Sequence, residues 1–172
     1  MSSALPSIVV TDTSVLVNFL RIDRMDLVAA NSFDFLVTDH VSDEITDTYP
    51  DQLTRFQAAL SQGILSQVSL TDPQELALFG ALSASGRLGL GECSAIALAV
   101  HEDHMLAIDD RRAAAEARRT HAQLQIVKTQ DLVLTMIQEG LLTVVQADAI
   151  LNDWAQNHRF TLRIGSFAEL LP

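Results

Sequence analysis

Five carboxylates stand where a metal site could be assembled: Asp12, Glu44, Glu92, Asp109 and Asp110. Asp12 ends the compact β-branched run Ser7-Ile8-Val9-Val10-Thr11, and the Asp109–Asp110 pair ends Met105-Leu106-Ala107-Ile108. Asp39 and His40 follow the run from Phe33 to Thr38, with Glu44 about one helical turn later. Glu92 follows no strand; it opens a helix just after Gly89-Leu90-Gly91. In an open parallel sheet, ligands bind outside the carboxyl ends of the strands, so these acids can converge on one edge. Two unit charges 4 Å apart repel by about 4 kcal/mol at an effective dielectric of 20. Such a cluster therefore persists only with protons or cations among the carboxylates. All-oxygen donors select hard cations, Mg²⁺ or Mn²⁺. An ion so held can activate water against a phosphodiester, sometimes as one of a pair about 4 Å apart.

Each acid also has a purely structural reading. Asp12 can cap the helix that follows it. Glu44 and Glu92 can be first-turn acids favoured by a helix dipole. Asp109 and Asp110 can make a turn and an N-cap for the arginine-rich helix beyond them. Cys93, beside Glu92, reads as a small buried hydrophobe. His101 and His104, three residues apart at a helix end, read as surface groups without metal-ligand spacing. The glycine-containing loop from Gly86 to Gly91 lacks the Gly-Lys-Ser/Thr ending of a phosphate loop.

These residues need a scaffold, and the hydrophobic pattern supplies one. Five strands are expected: 7–11, 33–38, 64–68, 105–108 and 124–127. Between and after them, helical periodicity predicts helices over 14–19, 25–30, 42–48 (capped by Ser42 or Asp43), 52–60, 73–83, 92–101, 111–121, 130–139 and 145–156. The 73–83 helix has Asp72 as its cap and Pro73 at its first position. Along 92–101, Cys93, Ile96, Ala97 and Val100 share one face. The tail 160–171 has no clear period. Strands alternating with helices mean βαβ units, hence a three-layer α/β fold with a mainly parallel central sheet of about five strands. The expectation is one domain over 1–172, with a core at about 7–145 and a helical extension at about 145–172.

Composition narrows the class. The chain has 172 residues, 48% of them hydrophobic, and a mean hydropathy of +0.22, too apolar for a disordered chain. Its one cysteine excludes a disulfide framework and a multi-Cys zinc site. No leader pattern precedes Ile8 and no apolar run is long enough to span a bilayer, so a cytoplasmic location without membrane is expected. The net charge of −11 argues against a general nucleic-acid binder, which needs a basic footprint. The charge is uneven: residues 1–86 hold three bases against eleven acids, and residues 87–172 hold eight against eleven. Arg111, Arg112, Arg118 and Arg119 fall within nine residues.

Three motifs together carry a family resemblance. The opening Ile8-Val9-Val10-Thr11-Asp12-Thr13-Ser14-Val15-Leu16-Val17 resembles the first motif of PIN-domain proteins. Leu90-Gly91-Glu92-Cys93-Ser94-Ala95-Ile96-Ala97-Leu98-Ala99 resembles their central helix. Leu106-Ala107-Ile108-Asp109-Asp110-Arg111-Arg112-Ala113 resembles their late acidic motif. The tail Gly165-Ser166-Phe167-Ala168-Glu169-Leu170-Leu171 is similar to that of a prokaryotic subgroup, the VapC-like toxin ribonucleases. The resemblance implies a compact α/β nuclease fold, a Mg²⁺ or Mn²⁺ site and an RNA substrate. It also implies a small antitoxin partner and a homodimer.

Carried over residue by residue, the resemblance makes Asp12 the first metal ligand. Thr13 or Ser14 would orient it or hold a metal-bound water near the substrate. Glu44 and Glu92 would be the second and third acids. Asp110 is the preferred fourth, because Asp110 to Ala113 matches the family register, with Asp109 beside it as the other choice. The familiar late motif has Thr where Ile108 stands, and the central acid is often Asp rather than Glu92. Arg111 and Arg112, next to the acids, are candidates for the substrate backbone, since arginine matches phosphate geometry; a solvated helix face is the other reading. Three alternatives stay open. A haloacid-dehalogenase-like phosphatase would need a second Asp where Ser14 stands. A receiver domain would want its acid pair after the first strand. A non-catalytic PIN-like module would bind RNA or protein without needing a metal.

Overall fold

The short apolar runs form strands because their residues are covered on both faces. Val9, Val10 and Val37 are fully buried, as in a parallel sheet sandwiched between helices. The computed structural model describes residues 7–172; the reading that no leader precedes Ile8 falls partly on residues 1–6, outside the described residues. The strands are β1 (Ile8–Thr11), β2 (Asp34–Thr38), β3 (Leu65–Val68), β4 (Met105–Ala107) and β5 (Ile126–Val127). All neighbours pair in parallel, in the order β3-β2-β1-β4-β5. Sequence order runs outward from β1 on one side and resumes at β4 on the other. The switch point, where α/β sheets open a crevice, is therefore the β1–β4 boundary.

Nine helices flank this sheet in the described residues: α1 (Thr13–Arg21), α2 (Met25–Ala30), α3 (Asp39–Asp43), α4 (Pro50–Ser61), α5 (Pro73–Ala84), α6 (Leu90–Glu102), α7 (Arg111–Thr120), α8 (Thr129–Gln138) and α9 (Val144–Asn157). A 3₁₀ turn, Phe167–Leu170, closes the chain. The three-layer α/β expectation is met. As expected, Asp72 caps α5 and Pro73 is its first residue. Among the described residues, no helix is long and apolar enough to cross a membrane.

Two helices differ from the sequence reading. The helix expected over 42–48 is α3, which starts three residues earlier, at Asp39, and is shorter. Thr38 takes the cap by accepting from the Val41 N–H at 3.2 Å. The polar stretch beyond closes on itself instead, with Thr46 Oγ donating to Thr48 Oγ at 3.0 Å. Glu44 is consequently the C-cap of α3, not a first-turn acid. In α6, burial is not confined to one face: every residue from Cys93 to Ala99 is buried. Small residues let it pack on β1, β2 and β4, with α3 and α5 beside it. A helix apolar all round is an interior helix.

The C-terminal extension belongs to the core. Trp154 on α9 is fully buried, stands edge-on to Phe19 of α1 at 5.9 Å, and donates its ring N–H to the Asn18 carbonyl at 2.8 Å. Phe160 packs edge-on against Trp154 from the tail at 5.3 Å. Asp148 then accepts from Ser166 Oγ (2.7 Å) and from the Phe167 N–H (2.8 Å), holding the tail to α9.

Candidate metal centre

The predicted acids meet at the carboxyl edge of the central strands. β1 delivers Asp12 there and β4 delivers Asp109 and Asp110; the Asp12 N–H donates to the Ala107 carbonyl at 2.9 Å, tying the two strand ends. α6 brings Glu92 in its first turn, and the C-terminus of α3 brings Glu44.

Asp12 does two jobs at once. It caps α1, with Oδ2 accepting from the Ser14 N–H at 3.1 Å. Its other oxygen, Oδ1, is buried and has no hydrogen-bond partner among the described residues. The side chain belongs to a residue only 2% exposed. Burial pushes its carboxyl above the usual range, the Ser14 bonds oppose that, and the Glu44 charge adds to it.

Glu44 spans two helix starts. Its Oε1 accepts from the Gly91 N–H at 3.0 Å, and its Oε2 accepts from the Thr13 hydroxyl. A helix C-terminus disfavours a carboxylate, so these donors, rather than a dipole, account for its place. Glu92 reaches back to the Gly89 N–H at 3.0 Å, a first-turn bond that uses only Oε2. Burial raises its carboxyl most, and the charges of Asp12, Asp110 and Glu44 raise it further.

The neighbouring aspartates part company. Asp110 caps α7 through Oδ1, which accepts from the Ala113 N–H at 2.9 Å. Both oxygens of Asp109 are engaged: Oδ1 by the Thr129 N–H (2.9 Å), Oδ2 by the Thr129 hydroxyl (2.6 Å) and by Asn18 Nδ2 (3.1 Å). The Asp109 N–H donates to Ser14 Oγ at 3.1 Å. Burial raises the Asp109 carboxyl, and the Thr129 bonds counter it.

Sequence reasoning missed Asn18, Thr129 and Gly91. Asn18 had a signal: it is a lone amide in the apolar stretch of α1, one turn after Ser14, and it is buried. Gly91 is small for a spatial reason. A Cβ there would lie 2.7 Å from both Cδ and Oε2 of Glu44. Cys93 is buried as expected. Arg111 and Arg112 are exposed at the start of α7.

The donor set fits a hard cation. A buried carboxylate oxygen without a partner is costly unless a proton or cation meets it, and the charges of Glu44 and Glu92 interact with that of Asp12. In the present side-chain positions, the one trio of potential ligands within 4.8 Å of each other among the described residues is elsewhere: Glu75, His101 and Glu102, toward the opposite end of α6 from Glu92.

Comparison with known proteins adds the following. A family model described as a PIN domain matches residues 8–171. Among solved structures, the chain is similar to VapBC2 from Rickettsia felis, determined bound to a DNA fragment from its promoter. The identity is 14%, the TM-score is 0.49, and the match covers 70% of this chain and 98% of that one. No curated protein matches.

Proposed function

The chain belongs to the PIN-domain family, and from that premise we propose that it is a Mg²⁺- or Mn²⁺-dependent endoribonuclease acting as the toxin of a toxin–antitoxin pair. The observation that carries the catalytic part is the orphan Oδ1 of Asp12 among the raised carboxylates. Asp12, Glu92 and Asp110 are the residues that would hold the ion, with Glu44 completing the site. When bound, such an ion lowers the pKa of a water and stabilises charge on a phosphodiester.

The remaining chemistry belongs to side chains. Thr13 and the Gly91 N–H fix the Glu44 carboxylate from two sides. Ser14 aims Asp12 through its N–H and pins the Asp109 backbone through its hydroxyl. Asp109 is then a positioning residue rather than a ligand, its oxygens being taken by Asn18 and Thr129. Arg111 and Arg112 meet the RNA backbone beside Asp110. No side chain acts as a nucleophile.

The toxin assignment rests on the motif and tail resemblance, and with it go an antitoxin, a homodimer and a cytoplasmic location. The test is incubation of the purified chain with a structured RNA in Mn²⁺, in Mg²⁺ and in EDTA. Cleavage in the metals and none in EDTA is expected; metal-independent cleavage, or none in any condition, opposes the reading. A short DNA-binding protein encoded in the adjacent reading frame, suppressing cleavage on co-expression, is the expected antitoxin. Its absence would leave a nuclease without the toxin role.

A further inference from the structure

Cations gather beside the acids in a way the sequence does not show. Two adjoining clefts, of about 360 and 340 Å³, share Arg111, the residue after Asp110. The first is walled by Arg111, Lys128 and Arg163, together with Asp109, Phe160 and Leu162. The second is walled by Arg87, Arg111, Arg112 and Arg119, together with Leu88, Ala115 and Glu116. Six of the chain's eleven Lys and Arg residues thus line two neighbouring clefts of a molecule whose net charge is −11. Arg119 pairs with Glu116 at 2.6 Å. Among the described residues, the other five have no carboxylate within ion-pair distance. Asp109, the acid in the first cleft, has its oxygens bound by Thr129 and Asn18.

Six cations against two carboxylates, Asp109 and Glu116, favour an anion from outside. Two helix N-termini add to the pull, because Arg111 opens α7 and Lys128 caps α8. The clefts are not uniformly polar: half-buried Phe160 and Leu162 lie in one, and Leu88 with Ala115 in the other. Charges for phosphates beside apolar surface for bases suit an unpaired strand. A duplex would offer phosphates but hide its base faces.

We infer that the two clefts form one track for the backbone of single-stranded RNA, meeting at Arg111, and that the C-terminal tail supplies part of it through Arg163. The nuclease reading enters only in the choice of RNA. The tail's fixed course makes the site a built one. Phe160 is anchored on Trp154, and Asp148 holds Ser166 and Phe167, so Arg163 lies between two points of attachment.

The test is anisotropy of a labelled single-stranded RNA of about ten nucleotides, with EDTA present, over a range of salt. Two double variants are compared with wild type: Lys128→Gln with Arg163→Gln, and Arg87→Gln with Arg112→Gln. Arg24→Gln, whose partner is Asp26, serves as a control. Each double variant is expected to bind about tenfold more weakly and to lose about 1.4 from the log–log salt slope, roughly 0.7 per phosphate contact. The single Arg163→Glu, at an exposed position, gives the same direction should a double variant melt early. Unchanged affinity and slope in both pairs overturn the track. So does a wild-type chain that binds pyrophosphate, or an acidic peptide, but not the RNA. Binding that falls in the variants while wild type cleaves nothing leaves the track standing and removes the nuclease reading; cleavage with unchanged binding does the reverse.

Discussion

The Gly91 N–H donates to Glu44 Oε1 at 3.0 Å, and the space where a Gly91 side chain would begin is filled by that same carboxylate. Two segments 47 residues apart are thereby locked at the mouth of the acid cluster. Helix propensity alone favours alanine over glycine by up to about 1 kcal/mol in a helix. Gly91→Ala is expected to leave the melting temperature unchanged or slightly higher while displacing Glu44 and lowering metal-dependent cleavage about tenfold or more. Full cleavage by this variant, measured beside its thermal melt, contradicts the role given to Glu44.

Asp109 and Asp110 should separate cleanly. Asparagine caps a helix about as well as aspartate, so Asp110→Asn is expected to melt like wild type and to lose cleavage. Asp109→Asn places an amide among the donors of Asn18 and Thr129, and should lower stability by about 1–3 kcal/mol. Urea unfolding paired with an RNA cleavage assay checks both. An Asp109→Asn protein of native stability but no activity would restore Asp109 as a ligand.

The raised carboxyls give a pH signature. A folded-state pKa above the unfolded value stabilises fully below the unfolded pKa, and the contribution is lost as pH rises through the folded one. Asp12 and Glu92 are of this kind. In EDTA, Asp12→Asn should therefore be more stable than wild type at about pH 7, with the gap closing toward about pH 4. The lowered carboxyls of Asp26 and Asp39 have the opposite sign but cancel in this difference. Melts over a pH series decide it; a gap that does not vary with pH contradicts the burial of a charged Asp12.

Trp154 joins the C-terminal extension to α1. Trp154→Ala is expected to lower stability by about 3–5 kcal/mol through the lost ring and the unfilled space. The Asn18 carbonyl also loses its indole donor. A loss under about 1 kcal/mol in urea unfolding would mean that α9 is peripheral.

Much of this arrangement is legible in the sequence because it obeys local rules. Most strands are apolar runs, and Asp12 and Asp110 follow strands and cap the next helix, so the cap reading of each is met. The surroundings of Glu44 are not legible in the sequence, because Thr38 outcompetes Ser42 and Asp43 for the cap. The Asn18–Asp109–Thr129 bonds join residues 91 and 111 positions apart, which no window of sequence displays. Arg163 reaches the first cleft only because aromatic packing around Trp154 sets the course of the tail.

The central claim is that Asp12 Oδ1 awaits a divalent cation. Calorimetric titration of Mn²⁺ into wild type and Asp12→Asn, with RNA cleavage measured on the same samples, tests it most directly. Saturable binding and cleavage by wild type are predicted, with both lost in a variant that still folds. Equal Mn²⁺ binding or undiminished cleavage by Asp12→Asn would contradict it.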